Sequence, residues 1–221
     1  MSNLPPPDLR SRILDAIERE PVPSRAARSR RRALAVVIGF ASLLTALAVV
    51  GPKMHARPAA YVAALVFAWL PIAALATWAG VTPGRSMLGR PVAWRVAVVT
   101  LTPVALMAAW AGVAMIWPAM LQDTSTIKRH FICDAATLGF SIGPLVAFTI
   151  VRRASDPVNP RLTGAAIGTA AATWAAVVLH LICGYTSGAH MLFGHVAPVV
   201  LLALIGSVLT ARTVAIRTKT G

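Results

Sequence analysis

The chain has 221 residues, 57% of them apolar and only 13% charged, and a net charge of +14 at pH 7. With a mean hydropathy of +0.71, it lacks the polar surface that a soluble domain of this length needs, which excludes an ordinary globular enzyme and points to a chain that crosses a bilayer. The basic residues flank the apolar runs, where membrane topology accounts for them, so neither direct nucleic-acid binding nor turnover of a small-molecule substrate is expected.

Residues 1–32 form the one sizeable polar segment. No apolar run follows closely on its first basic residues, so a cleavable signal peptide is not expected. From Asp8 to Glu20 the pattern predicts an amphipathic helix. Leu9, Ile13 and Ile17 recur at i, i+4 and i+8, with Leu14 and Ala16 beside them. Pro5, Pro6 and Pro7 precede it, Asp8 can cap it and Pro21 stops it. So short a helix is marginal alone in water, and its apolar stripe needs a surface. The acidic residues Asp8, Asp15, Glu18 and Glu20 balance Arg10, Arg12 and Arg19. A helix that lies on anionic lipid would be more cationic. A groove on a cytoplasmic partner protein, filled by Leu9, Ile13, Leu14 and Ile17, is therefore the preferred reading. The arginines that follow, among them Arg28, Arg30, Arg31 and Arg32, orient the first span.

Six apolar runs come next, at about Leu34–Val50, Ala59–Val81, Val92–Trp117, Phe131–Val151, Leu162–Cys183 and Met191–Ala211. Each is long enough to cross a hydrocarbon core of about 30 Å at 1.5 Å per residue. Residues 33–211 thus form an all-α domain of six transmembrane helices, and residues 212–221 a short tail. Short connections predict that consecutive helices are antiparallel neighbours. Seventeen of the 21 Lys and Arg residues fall on the side of the two termini, against Lys53, Arg57, Lys128 and Arg129 on the other. The positive-inside rule then predicts both ends in the cytoplasm and a bacterial inner-membrane, multi-pass protein.

Pro71, Pro103, Pro144 and Pro198 lie inside runs and predict kinks rather than helix ends. Gly139–Gly143 and Gly164–Gly168 have the spacing of close helix packing, and the tryptophans lie mostly near run ends, as an interfacial belt would place them. Gly139-Phe-Ser-Ile-Gly143 also matches G-x-S-x-G, but that motif needs a strand–turn–helix and here falls inside a helical run. No catalytic residue is assigned. No acidic residue occupies the middle of a run, which argues against an ion-coupled transporter.

The histidines and both cysteines map to the non-cytoplasmic side. Two H-x-x-C units recur, His130 with Cys133 opening the fourth run and His180 with Cys183 closing the fifth. Antiparallel helices bring the two cysteines to one depth, and three readings stay open. These are a Cys133–Cys183 disulfide, a metal or haem site of His130, Cys133, His180 and Cys183, or unligated residues in a packed interface. No cofactor is otherwise expected.

Pro144, the stretch Arg152-Arg153-Ala-Ser-Asp-Pro157, Pro160, Gly164, His180, Cys183, His195, Pro198 and Leu201 through Gly206 together resemble the NrsF-like family of six-span bacterial membrane anti-sigma factors. Residues 1–32 look like the Pro-, Arg- and Ala-rich N-termini of such proteins. The resemblance implies a chain that sequesters an extracytoplasmic-function sigma factor through its N-terminus and releases it on a stimulus. Similarity to a carotenogenesis regulator of that kind implies light as the stimulus and carotenoid genes as the target. The family's outer cysteines correspond to Cys133 and Cys183, and the departure is Leu181 and Ile182 between His180 and Cys183. A small transporter or a haem- or metal-binding membrane protein, with an N-terminus that only anchors, is the alternative class.

Overall fold

The computed structural model describes residues 11, 25–51, 57–82, 92–122, 126–153 and 158–214. Leu9, Ile13, Leu14 and Ile17, and most of the tail, lie outside the described residues. The described residues are mostly helical, with no strand among them. The long helices are α1 (Arg25–Val50), α2 (Ala59–Val81), α3 (Val92–Ile116), α4 (Ile127–Val151), α5 (Pro160–Ile182) and α6 (Gly188–Leu209), and a short α7 covers Ala211–Val214. A 3₁₀ turn, Pro118–Gln122, follows α3. Six of these are long and apolar enough to cross a membrane. Helix α1 begins nine residues before the first apolar run, so Arg28, Arg30, Arg31 and Arg32 ride on its first turns, the last three exposed. It ends at Gly51, whose φ of +74° is the left-handed cap geometry that glycine adopts without a Cβ clash. Helices α2, α3 and α4 run through Pro71, Pro103 and Pro144, as lipid-embedded helices with satisfied neighbours do.

Helix α5 is the hub. Every residue from Thr163 to Thr173 is buried, and α5 packs on each of the other five long helices. Its sequence explains this, since Ala, Gly and Thr surround the axis and a helix apolar all round has no lipid face to keep. Gly164 and Gly168 face Gly206 and the Leu202 carbonyl of α6, where a Cβ would collide with backbone. Consecutive helices are not always neighbours, contrary to the expectation from loop length. Helix α1 packs on α4 rather than on α2, and α3 packs on α2 and not extensively on α4. The reason lies in α1 and α4. Gly39 lies against Ala147, and Gly143 against Ser42, a seam of small residues closer than α2 can offer. Gly143 supplies the predicted packing face, whereas Gly139 looks into open space.

The aromatic belt is incomplete. Trp78 and Trp94 meet edge-to-face at an exposed edge, 5.8 Å between ring centroids, but Trp69 is fully buried in the core. Trp174 donates from Nε1 to Thr77 Oγ1 at 2.8 Å, tying α5 to α2. These two rings satisfy interior packing rather than the interface.

A thiol–imidazole site at one end of the bundle

The C-terminal ends of α1, α3 and α5 and the N-terminal ends of α2, α4 and α6 gather at one end of the bundle, and side chains there tie them together. Arg57, at the start of α2, donates to the His180 carbonyl at 2.5 Å, and Thr186 donates to the Met120 carbonyl. The Arg129 guanidinium stacks on the Tyr185 ring at 4.4 Å. Inside this frame lie Cys133 from α4, Cys183 just after α5, and His190 and His195 from α6. One ligand atom from each of the four falls within 4.8 Å of the others.

The four are 8%, 5%, 0% and 0% exposed, in that order. The two sulfurs are 3.6 Å apart and Cys183 Sγ is 3.1 Å from His190 Nε2. The cysteines are free thiols, at a separation well beyond the S–S bond of about 2.05 Å. A tetrahedral ion with Zn–S near 2.3 Å would hold its two sulfurs about 3.8 Å apart. The sulfur–sulfur edge thus matches that of a Cys₂His₂ centre, and the four donors lie within 4.8 Å of one another. Neither ring nitrogen of His195, nor His190 Nδ1, has a hydrogen-bond partner among the described residues. Leaving such a buried group unsatisfied costs about 1–3 kcal/mol each, a cost that a cation at the centre would offset for the nitrogens facing it.

The local structure of α6 makes the cluster possible. His190 and His195 are five residues apart, and in an α-helix they would diverge by about 140°. Residues Leu192–Val196 form a π turn, with the Ala197 N–H bonded to the Leu192 carbonyl. This i→i+5 geometry stacks position i+5 near position i, and turns both imidazoles toward the thiols. Gly194 lets the turn approach α4, since a Cβ there would lie 3.1 Å from Cys133 Cβ and 3.4 Å from the His190 ring. Thr137 fixes the same contact by donating to the Cys133 carbonyl at 2.9 Å and the Gly194 carbonyl at 3.2 Å. Ser187 caps the start of α6 and its Oγ accepts from the His190 N–H.

Of the four residues expected as ligands, the two cysteines meet. His130 and His180 lie one layer out. The His180 ring stacks on His195 at 4.6 Å and packs edge-on to Trp69 at 4.1 Å. The His130 ring lies 5.2 Å from His190 and 6.2 Å from Phe193, on the outer flank. A histidine three residues before a cysteine sits about 60° around the helix from it, enough to aim past a centre the cysteine faces. The pair that takes their place, His190 and His195, was hidden because a π turn leaves no periodicity to read. Ser141 is buried in α4, its Oγ donating to the Thr137 carbonyl at 2.6 Å.

No curated protein and no solved structure gives a match. A family described as negative regulator of sigma F matches residues 16–215, from the last turns of the expected N-terminal helix through all six long helices. A chain matched over that length, with six helices of membrane-crossing character, belongs to the NrsF family of negative regulators of sigma F.

Proposed function

We propose that this multi-pass protein is an inner-membrane anti-sigma factor that sequesters an extracytoplasmic-function sigma factor through Leu9, Ile13, Leu14 and Ile17. The observation that carries the reading is the family match, which spans 16–215. It includes Ile17 but begins after Leu9, Ile13 and Leu14, so most of the proposed contact stripe lies ahead of it. The mechanism is occlusion: an amphipathic helix fills a groove that the sigma factor needs for polymerase. In this reading both termini are cytoplasmic and the thiol–imidazole end faces outward. A two-hybrid assay of residues 1–32 against each such sigma factor of the source genome tests it. One strong hit, lost in Ile13→Asp and in Ile17→Asp, is expected; no hit with either the fragment or the full chain overturns the reading.

The outward cluster is the proposed input. Two thiols and two imidazoles suit a borderline or soft ion such as Zn²⁺ or Cu⁺. The site joins α4, α5 and α6, and α1, which leads to the N-terminal segment, packs on α4. An ion that favours one arrangement of α4 shifts the population of sigma-binding and sigma-releasing states by its difference in affinity for them. The 3.6 Å sulfur separation favours a second input chemistry, thiol–disulfide exchange with an external disulfide, which oxidises the two thiols to a Cys133–Cys183 disulfide and leaves as two thiols. Metal content and thiol titration of the purified protein, with Cys133→Ser as control, separate the two. Illumination as the stimulus and carotenoid genes as the target are the finer form of this reading. A reporter for the freed sigma factor, compared in light and darkness, tests them.

A further inference from the structure

The four donors are buried, so an ion must reach them through a gap between helices; one groove opens onto the two thiols and a second ends at His130, beside His190. One, of about 520 Å³, runs between α4 and α5 directly onto Cys133 and Cys183, and Arg129 and Tyr185 stand among its lining residues. Arg129 is held over the Tyr185 ring, so a fixed positive charge guards this mouth. The other, of about 430 Å³, runs between α4 and α6 and is lined by Ile127, His130, Phe131, Asp134, Phe193 and Ala197. Asp134 is half-buried in it, and no other acidic residue lies among the described residues. Asp134 stands one helical turn from His130, whose ring is 5.2 Å from that of the buried His190. A carboxylate, a half-exposed imidazole and a buried imidazole thus form a file from the surface to the cluster. Carboxylates at membrane depth are costly to keep and mark ion paths.

We propose that Asp134 and His130 form the admission site for a transition-metal cation, which they pass to His190 and so to the Cys133, Cys183, His190 and His195 centre. The inference rests on the metal reading of that centre. The carboxylate concentrates the cation at a mouth of low polarity, where the field of one charge is weakly screened, and His130 provides a transient nitrogen ligand. The Arg129 groove repels the same cation but admits neutral thiol reagents. Asp134 thereby sets the rate of loading rather than the affinity, since it is not among the four donors.

The test uses the full-length reduced protein in detergent micelles and Co²⁺ as the probe, whose thiolate charge-transfer and d–d bands report a tetrahedral sulfur–nitrogen site. Stopped-flow loading of Asp134→Asn is expected to be about tenfold slower than wild type. Its final spectrum, stoichiometry and equilibrium affinity should stay unchanged, and so should its rate of labelling by a neutral maleimide. The deficit should shrink as salt is raised. Arg129→Gln should load at least as fast as wild type. Asp134→Asn loading at the wild-type rate, or losing affinity or altering the spectrum, overturns the admission site while leaving the metal centre in place. A wild-type protein that develops no thiolate–Co²⁺ band overturns the metal reading itself.

Discussion

At the scale of single residues, the chemistry concentrates on four side chains that arrive from three helices. Cys133 and Cys183 were legible in the sequence, because antiparallel helices of similar length put residues near matching ends at one depth. Their partners were not. His190 and His195 reach the thiols only because the π turn Leu192–Val196 rotates one onto the other's face, and one inserted residue per turn is invisible to a 3.6-residue period. Gly194 is the residue on which this depends, since its missing side chain leaves room for Cys133 and the His190 ring. Gly194→Val is therefore expected to lower Co²⁺ affinity at least tenfold while the helical content of the protein is kept. Equilibrium titration beside circular dichroism checks this; unchanged affinity would mean that the turn is not what closes the site. His180→Ala is expected to weaken binding less than His195→Ala does, because its ring stacks behind His195 rather than among the four donors.

At the scale of elements, the C-terminal ends of the six spans were readable to within two residues, since contiguous apolar runs of this length fold as helices in lipid. Helices α1 and α4, by contrast, begin nine and four residues ahead of their runs, with basic residues that hydropathy does not count. The neighbour relations were not readable from loop length. They follow from where the backbone is bare. The seam of α5 with α6 rests on Gly164, Gly168 and Gly206, whose backbones approach too closely for any Cβ. The seam of α1 with α4 rests on Gly39 and Gly143. The sequence motif Gly139–Gly143 gave half of that answer, and composition alone does not say which glycine of a pair faces a partner. Filling the α5–α6 seam should be costly, because overpacking displaces backbone rather than a side-chain tip. Gly206→Leu is expected to destabilise the bundle by at least about 1–3 kcal/mol, read as a lower melting temperature in detergent. Gly139→Leu, which enters open space, should leave the melting temperature within error. Equal effects of the two would show that the seam does not carry the packing.

For the whole molecule, the two ends carry different chemistry. Arg30, Arg31, Arg32, Arg95, Arg152, Arg161 and Arg212 lie toward one end, and Arg95 reaches back to Thr163 Oγ1 at 2.7 Å. The thiols, the histidine rings, Arg57 and Arg129 lie toward the other. In the proposed function, a stimulus at the thiol end must cross the bundle to reach the N-terminal segment, and the packing offers a route. Cys133 sits near the start of α4, and Gly143 lies ten residues on, about 15 Å along the helix. There α4 meets α1 at Ser42 and Gly39, and α1 leads back to the arginine cluster and the proposed sigma-binding stripe. A rigid helix moved at one end by a bound ion moves at the other, and close-packed seams switch between discrete arrangements rather than yield smoothly. Prying this seam open should then mimic the stimulus. Gly143→Leu, which drives a side chain into α1, is expected to release the sigma factor without any ion, seen as constitutive expression of its target genes. Its Co²⁺ affinity should stay within a few-fold of wild type, because the substitution is remote from the four donors. Retained sequestration in a folded Gly143→Leu protein would rule out the α1–α4 seam as the transmitting contact. It would place the coupling in α5, which also packs on α1.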